Sequence, residues 1–293
     1  MSGSLRSMVV VGLVLLTAAC SAAPGTASTP TPSPAPSASP AGLPISHPTG
    51  ATDVILRFEE GGGFVAPGFL ASEAPIFTLF GDGTVIFRNP RLDPPPAIGA
   101  IHPFRPFQTA VLDGSQVQVL LATALEEGGL GTAKPTYTDD HIADAPTATF
   151  TLDAGGVRKT VSVYALGIDV AGQPDASPRA AFAKLAERLR AFDGDGAIAT
   201  KVYAPDRYRG VLLEGGAGDT AKPWPWTDLT PADFVVPADP NGPRLPTRIL
   251  TAAQVKALAT TNYEGGFTGP TLTAPDGKTY GFTLRPLLPD EKG

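Results

Sequence analysis

Side chains able to do chemistry are sparse in this sequence, and their densest grouping is Asp139, Asp140, His141 and Asp144. Three carboxylates and an imidazole within six residues are the donor types of a hard or borderline cation site. The spacing follows no calcium loop, and no helix carries paired histidines around a glutamate. Asp144 before Ala145-Pro146-Thr147 organises a turn into a strand, and the turn is the stronger reading. His47 and His102 stand far off in proline-rich surroundings, and no serine sits in a nucleophile elbow. Gly61-Gly62-Gly63 and Gly215-Gly216-Ala217-Gly218 lack the Lys-Ser/Thr of a phosphate loop and read as strand-end turns. Glu59 and Glu60 are adjacent, so in a strand they point to opposite faces and cannot act as a glycosidase pair. Trp224-Pro225-Trp226, with Phe234, makes a rigid aromatic loop. Exposed, Trp224 and Trp226 would form a recognition surface for a protein, a sugar or the cell wall; buried, they cap a sheet, and burial is the favoured reading.

One reactive side chain has a definite context. Arg6 precedes an apolar run of nine residues, from Met8 to Leu16, and small residues lead into Cys20. The run is too short to span a bilayer, which needs roughly 20 apolar residues, but it fits the core of a secretion signal. The pattern resembles a bacterial lipobox, although Thr17 is less typical than leucine at its position. It implies cleavage before Cys20 and acylation of that thiol, leaving 1–19 as leader and the chain palmitoylated on the outer face of a cell membrane.

The bulk numbers agree with such an address. Cys20 is the only cysteine, so the exported chain holds no internal disulfide, thiolate nucleophile or zinc–thiolate site. Net charge is −6, and loss of Arg6 with the leader makes it −7. That balance speaks against nucleic acid and against docking on anionic lipid, so membrane contact rests on the acyl group. Residues 21–50 carry no charged side chain and eight prolines, which favours extended, core-less chain. At ~3.1 Å per residue this tether reaches up to ~90 Å. Residues 20–50 thus read as lipidated cysteine plus linker, and folded structure is expected from Asp53.

The folded part alternates strand and helix signals. Val54 to Phe58 is a strand, and 76–80 with 84–87 form a hairpin about Gly81-Asp82-Gly83. A proline-rich loop over 92–106 leads to a strand at 107–112. Asp113 and Gln116 make a capping box for a helix whose face is Val117, Leu120, Leu121, Ala124 and Leu125. A second hairpin pairs 147–152 with 160–166 about Asp153-Ala154-Gly155-Gly156. Ser177 and Pro178 then open a helix with Phe182, Leu185, Leu189 and Phe192 on one face.

The remainder repeats part of this order. Val111-Leu112, Gln116-Val117 and Leu120 recur at the same spacing as Ile249-Leu250, Gln254-Val255 and Leu258, with Thr251 as cap; Glu127-Gly128-Gly129 recurs as Glu264-Gly265-Gly266. The expected fold class is therefore α+β: two related units of antiparallel sheet with packed helices, 51–205 and 206–293. In the second unit the Trp224-Pro225-Trp226 loop replaces the first hairpin.

The run Ile76 to Gly83, the Asp144-Ala145-Pro146-Thr147 and Lys159 to Tyr164 segments, and the closing Leu284-Arg285-Pro286-Leu287-Leu288-Pro289-Asp290-Glu291 resemble a family of bacterial, largely actinobacterial, lipoproteins. The resemblance implies an envelope lipoprotein and brings no activity or site residues. The order strand, Gly-Asp-Gly, strand, helix, hairpin, helix is more distantly similar to emfourin-type protease inhibitors, and fold does not fix function. The expectation is a non-catalytic, lipid-anchored binding module without cofactor, its partner an envelope protein or cell-wall component. Protease inhibition through 92–106 and a metal-dependent activity at Asp139 to Asp144 are the alternatives.

Overall fold

The structure, a computed structural model, describes residues 43–95, 101–168, 172–194, 196–215, 221–238 and 244–292. The signal, Cys20 and most of the tether lie outside the described residues. Leu43–Gly293 forms one compact unit. It is α+β and mostly sheet. In chain order the elements are β1 (Val54–Gly61), α1 (Pro67–Ser72), β2 (Phe77–Phe80), β3 (Thr84–Phe87), β4 (His102–Pro103), β5 (Gln108–Val111) and α2 (Gly114–Leu125). There follow β6 (Thr136–Tyr137), β7 (Thr147–Ala154), β8 (Val157–Tyr164), α3 (Ala176–Arg190), β9 (Lys201–Val202), β10 (Arg207–Glu214) and β11 (Lys222–Pro223). The chain finishes with β12 (Thr247–Thr251), α4 (Ala252–Lys256), β13 (Phe267–Thr273) and β14 (Thr279–Pro286). No helix among the described residues is long and apolar enough to cross a membrane.

The strands form two sheets, ordered β6-β8-β7-β1-β2-β3-β5-β9 and β11-β13-β14-β10-β12. Alternation along β7 (buried Ala148, Phe150, Leu152 and Ala154) turns one face of the first sheet toward α2 and α3. Phe58 stacks on Phe150 at 4.9 Å, and Phe182 of α3 joins Phe150 and Tyr137. These contacts, with Val117, Leu120, Leu121, Leu185 and Leu189, are the main core. A second core, around Phe267, Phe282, Leu284, Leu250 and Trp226, belongs to the second sheet.

Both capping boxes form as their residue types require: Asp113 accepts from the Gln116 N–H and Thr251 from that of Gln254, each glutamine reaching back to its cap residue's N–H. The helices behind them differ, twelve residues against five. Successive antiparallel pairings make β5 and β7 run the same way, so the chain between them must travel back the length of a strand. A helix of twelve residues rising ~1.5 Å per residue covers that distance. β12 and β13 run oppositely, and a single turn suffices. The hairpins also insert differently: the first strand of one, β7, lies beside β1, whereas the return strand of the other, β14, lies beside β10.

Further details depart from the sequence reading. Residues 43–50 are bonded to the domain rather than free: Gln118 accepts from Ile45 N–H (2.6 Å) and donates to its carbonyl (3.0 Å), and the Gly155 N–H donates to Ser46. Ile45 packs on the main core, so ordered structure precedes Asp53. The second hairpin turns on Gly155-Gly156 alone. Helix α3 starts before Ser177; Asp175 is its cap residue but stands at φ 55°, outside the extended conformation a side-chain cap requires, and its carboxylate pairs with Lys134 at 3.0 Å. Several short elements escaped notice, among them β6, β9, β11, α1 and β4. α1 packs against β10, β13 and β14, and β4 pairs with β13, so parts of the first unit build the second sheet.

The reverse also occurs. Leu288 packs with Phe80, Ile86 and Phe107 on the first sheet's other face, and the Tyr203 hydroxyl donates to Leu287 O (2.9 Å). Asp290 pairs with Arg57 of β1 at 2.7 Å, and Glu291 accepts from both terminal nitrogens of Arg285 of β14. The segment after β14 therefore ties the sheets together.

Candidate functional site

The hollow with unengaged chemistry lies at one end of β7, β1, β2 and β3. It has a volume of about 350 Å³ and is walled by Phe64, Val65, Phe69, Ile76, Pro90 and Pro146. Its polar groups come from Glu60 at the end of β1, Arg88 after β3, Asp144 before β7, and Ser72 and Glu73 at the end of α1.

The glycine loop positions Glu73. At Gly61 a Cβ would overlap the Glu73 carboxylate, which is therefore seated on bare backbone. The Gly62 N–H donates to that carboxylate at 3.2 Å. At Gly63, φ is +83° and a Cβ would come 2.9 Å from the Asp144 carbonyl, so both conformation and space demand glycine. That carbonyl accepts from Phe64 N–H, which fixes the loop's exit. Pro67 opens α1, and the Phe69 ring meets Phe104 edge-on at 6.4 Å. The motif read as a strand-end turn is one, and it also builds the carboxylate's seat.

The neighbouring charges are paired elsewhere, although the Nε atoms of Arg88 and Arg190 are buried without a hydrogen-bond partner. Arg190 of α3, 5% exposed, reaches Glu60 at 2.6 Å and stacks over Phe58. Arg88 pairs with Asp93 at 3.2 Å and lies against Phe104 and Phe107; burial lowers its guanidinium from the ordinary value, opposed by Asp93. Glu73 has no cationic partner among the described residues. Burial pushes its carboxyl up to about 7, against the opposing pull of the Gly62 hydrogen bond. Ser72, the hydroxyl of the cavity wall, donates to Phe69 O at 2.9 Å and is not aligned with a base. A carboxylate that titrates near neutrality among apolar walls can take a proton or hold a cation.

The metal-type cluster does not converge. Asp139 is buried, and its carboxylate accepts from the His141 backbone (3.0 Å), the His141 ring (3.1 Å) and Gln173 (3.2 Å). Those bonds, the His141 backbone N–H first, hold it below the usual carboxylate range. Asp140 and His141 are exposed, and Asp144 stands at φ 56° on the cavity rim. Among the described residues no three His, Cys, Asp or Glu side chains gather as a metal site. Asp139 to His141 is thus a turn closed by its own carboxylate. His102 sits against Phe104, and the His47 ring meets the Pro48 carbonyl.

The tryptophans pack inward, in line with the capping reading. Trp226 is 5% exposed, and its indole N–H donates to Gln254 O at 2.8 Å; half-buried Trp224 donates to Leu229 O at 2.7 Å. Both join the second core, where Phe282 and Phe234 complete the packing.

Glu59 and Glu60 do lie on opposite faces. Glu60 meets Arg190, whereas Glu59 faces the charges of Arg57, Glu291, Arg285 and Asp290, with burial raising its carboxyl above the ordinary value. Of two larger hollows, of about 880 and 710 Å³, the first has engaged polar groups, with Tyr280 bonded to Asp276 and Glu214 to Lys278; in the second Gln116 and Ser115 serve the α2 cap, and the exposed Arg188 guanidinium stands at its edge. Sequence reasoning missed Glu73, whose only local signal was the glycine run across from it.

No family model, curated protein or solved structure matches this chain.

Proposed function

We propose that this protein is an envelope lipoprotein that presents a non-catalytic ligand-binding domain. In this reading residues 1–19 are a leader, Cys20 is acylated, and the uncharged stretch that follows holds the domain away from the bilayer on the extracytoplasmic side. The lipobox-like run before Cys20 and the likeness to bacterial lipoproteins support the address. The observation that carries the binding role is the Glu73 cavity: an unpaired carboxylate against apolar walls, with Ser72 engaged and no base aligned on it. Kinship between the two units is proposed only for the strand, capping box and first helical turn.

Metabolic labelling with a clickable palmitate analogue tests the anchor. Wild-type protein should be labelled and pellet with membranes, and Cys20→Ala should be unlabelled and soluble. Equal labelling of the variant would remove the address.

A second reading, protease inhibition, draws on the base of the proline-rich segment. Asp93 accepts from Arg105 N–H (2.8 Å), and the Arg105 side chain donates to Leu92 O (2.6 Å), which pins the segment's two ends together. A restrained exposed segment is what such inhibitors present. Absence of inhibition of secreted metallo- and serine proteases at micromolar protein would end this reading.

A further inference from the structure

We propose that the cavity at the end of β1 receives a small organic ammonium ion, its charge against Glu73 and its apolar stem against Phe64, Val65 and Phe69. The inference rests on the binding-domain reading and names the ligand's chemistry.

Four observations converge. First, the cavity's volume of about 350 Å³ falls at the lower end of small-molecule sites, which run from ~300 to ~1,000 Å³. That suits a stem of six to ten carbon atoms and little more. Second, the Glu73 carboxylate accepts one hydrogen bond, from Gly62, and has room on its cavity side for a charged donor. A neutral apolar ligand would strip water from this group and give nothing back. Third, the field in the cavity is negative. Glu60 is neutralised by Arg190 and Arg88 by Asp93, α1 contributes no titratable side chain, and exposed Asp144 adds a further acid at the rim. An anionic ligand would face Glu73 and Asp144 together. Fourth, Phe64 is 89% exposed and Phe69 40% exposed at the mouth. Aromatic faces in that position attract a cation and cover an apolar stem; Phe69 is held in place edge-on by Phe104, and Phe64 stands at the mouth without a ring partner among the described residues.

Binding should follow the ionisation of Glu73. The carboxyl titrates at about 7, so the competent, charged form grows from a few per cent at pH 5.5 to most of the population at pH 8. Affinity for an amine that stays protonated throughout should rise on the order of thirtyfold across that range.

The test uses the full chain, labelled with nitrogen-15, and three probes of one skeleton: 2-phenylethylamine, 2-phenylethanol and 3-phenylpropionate. The Gly62 amide, bonded to the carboxylate, reports the site directly. The amine is expected to shift Gly62 and Phe64 saturably, with affinity at least tenfold above the alcohol at pH 8, and the propionate should not bind. Glu73→Gln should remove the amine's advantage over the alcohol and abolish the pH dependence. Equal binding of amine and alcohol, or preference for the propionate, would overturn the ammonium assignment and leave the cavity as a binding site. Failure of all three to move Gly62 or Phe64 would overturn both.

Discussion

The Glu73 carboxylate occupies the space that a side chain at Gly61 would need. The two residues are twelve apart in sequence, at the end of β1 and the end of α1, and each fixes what the other can be. In Gly61→Ala the overlapping atoms are the far end of a flexible glutamate, so the carboxylate swings out and the fold survives. The expected outcome is a small stability change, within about 1 kcal/mol, with loss of the Gly62 hydrogen bond. In Gly63→Ala the obstacle is backbone and φ is +83°, so that variant should lose about 1–3 kcal/mol. Denaturant melts of the pair, with amide shifts at Gly62, check the contrast.

Glu73 should also make stability depend on pH. Its folded carboxyl titrates at about 7 against an ordinary 4.5, so between those values the folded chain holds a proton that the unfolded chain has released. Stability from this group is complete below pH 4.5 and is lost as pH rises through 7. Glu73→Gln should therefore match wild type at pH 4 and exceed it at pH 8. The gain is set at about 1 kcal/mol, discounted because the carboxyl keeps contact with solvent. Paired melts at the two pH values give the difference directly.

At Glu291 the sign is opposite. Burial would raise this carboxyl, but the two bonds from Arg285 and its charge prevail and hold it below the ordinary range. Its contribution is present above about pH 4.5 and fades as pH falls through the lower folded value. Arg285 is 4% exposed, so Glu291→Gln leaves a buried guanidinium without its counter-charge, at a cost of about 3–5 kcal/mol near neutrality. The deficit in melting temperature should narrow in acid.

The second capping box allows a graded set. Leu258 is buried with Phe282 and Leu284, whereas Lys256 is exposed. Leu258→Ala should cost about 2–5 kcal/mol, Thr251→Ala about 0.5–2, and Lys256→Ala no more than about 0.5. Chemical denaturation of the three should return that order; equal effects at Leu258 and Lys256 would mean that the residue does not pack on the hairpin.

The devices legible in the sequence are those closed by neighbours a few residues apart. Asp82 accepts from Thr84 in its hairpin, and Asp113 and Gln116 answer one another across a single turn. Helical spacing of Phe182, Leu185 and Leu189 likewise showed the face that is buried. Where a residue's partner was distant, the reading strayed. Asp175 takes a left-handed backbone and pairs with Lys134, Gln118 holds Ile45 across 73 positions, and the six residues of α1 are too few to display a period. Glu73 belongs with these. Nothing in its neighbours tells of a carboxylate raised toward neutrality, because its surroundings come from the ends of four strands.

The tie formed by Leu287 to Glu291 sets an order on folding. Phe80, Ile86 and Phe107 are closed over by Leu288, more than 180 positions after the last of them in the chain. As the polypeptide grows, that face of the first sheet stays wet through the synthesis of every later strand. Covering of that face, though not pairing of the first sheet's strands, thus waits on the last segment of the chain. A polypeptide halted before Leu287 would present three large apolar side chains as a sticky patch, which gives chaperones and proteases a clear mark by which to tell an unfinished chain from a finished one.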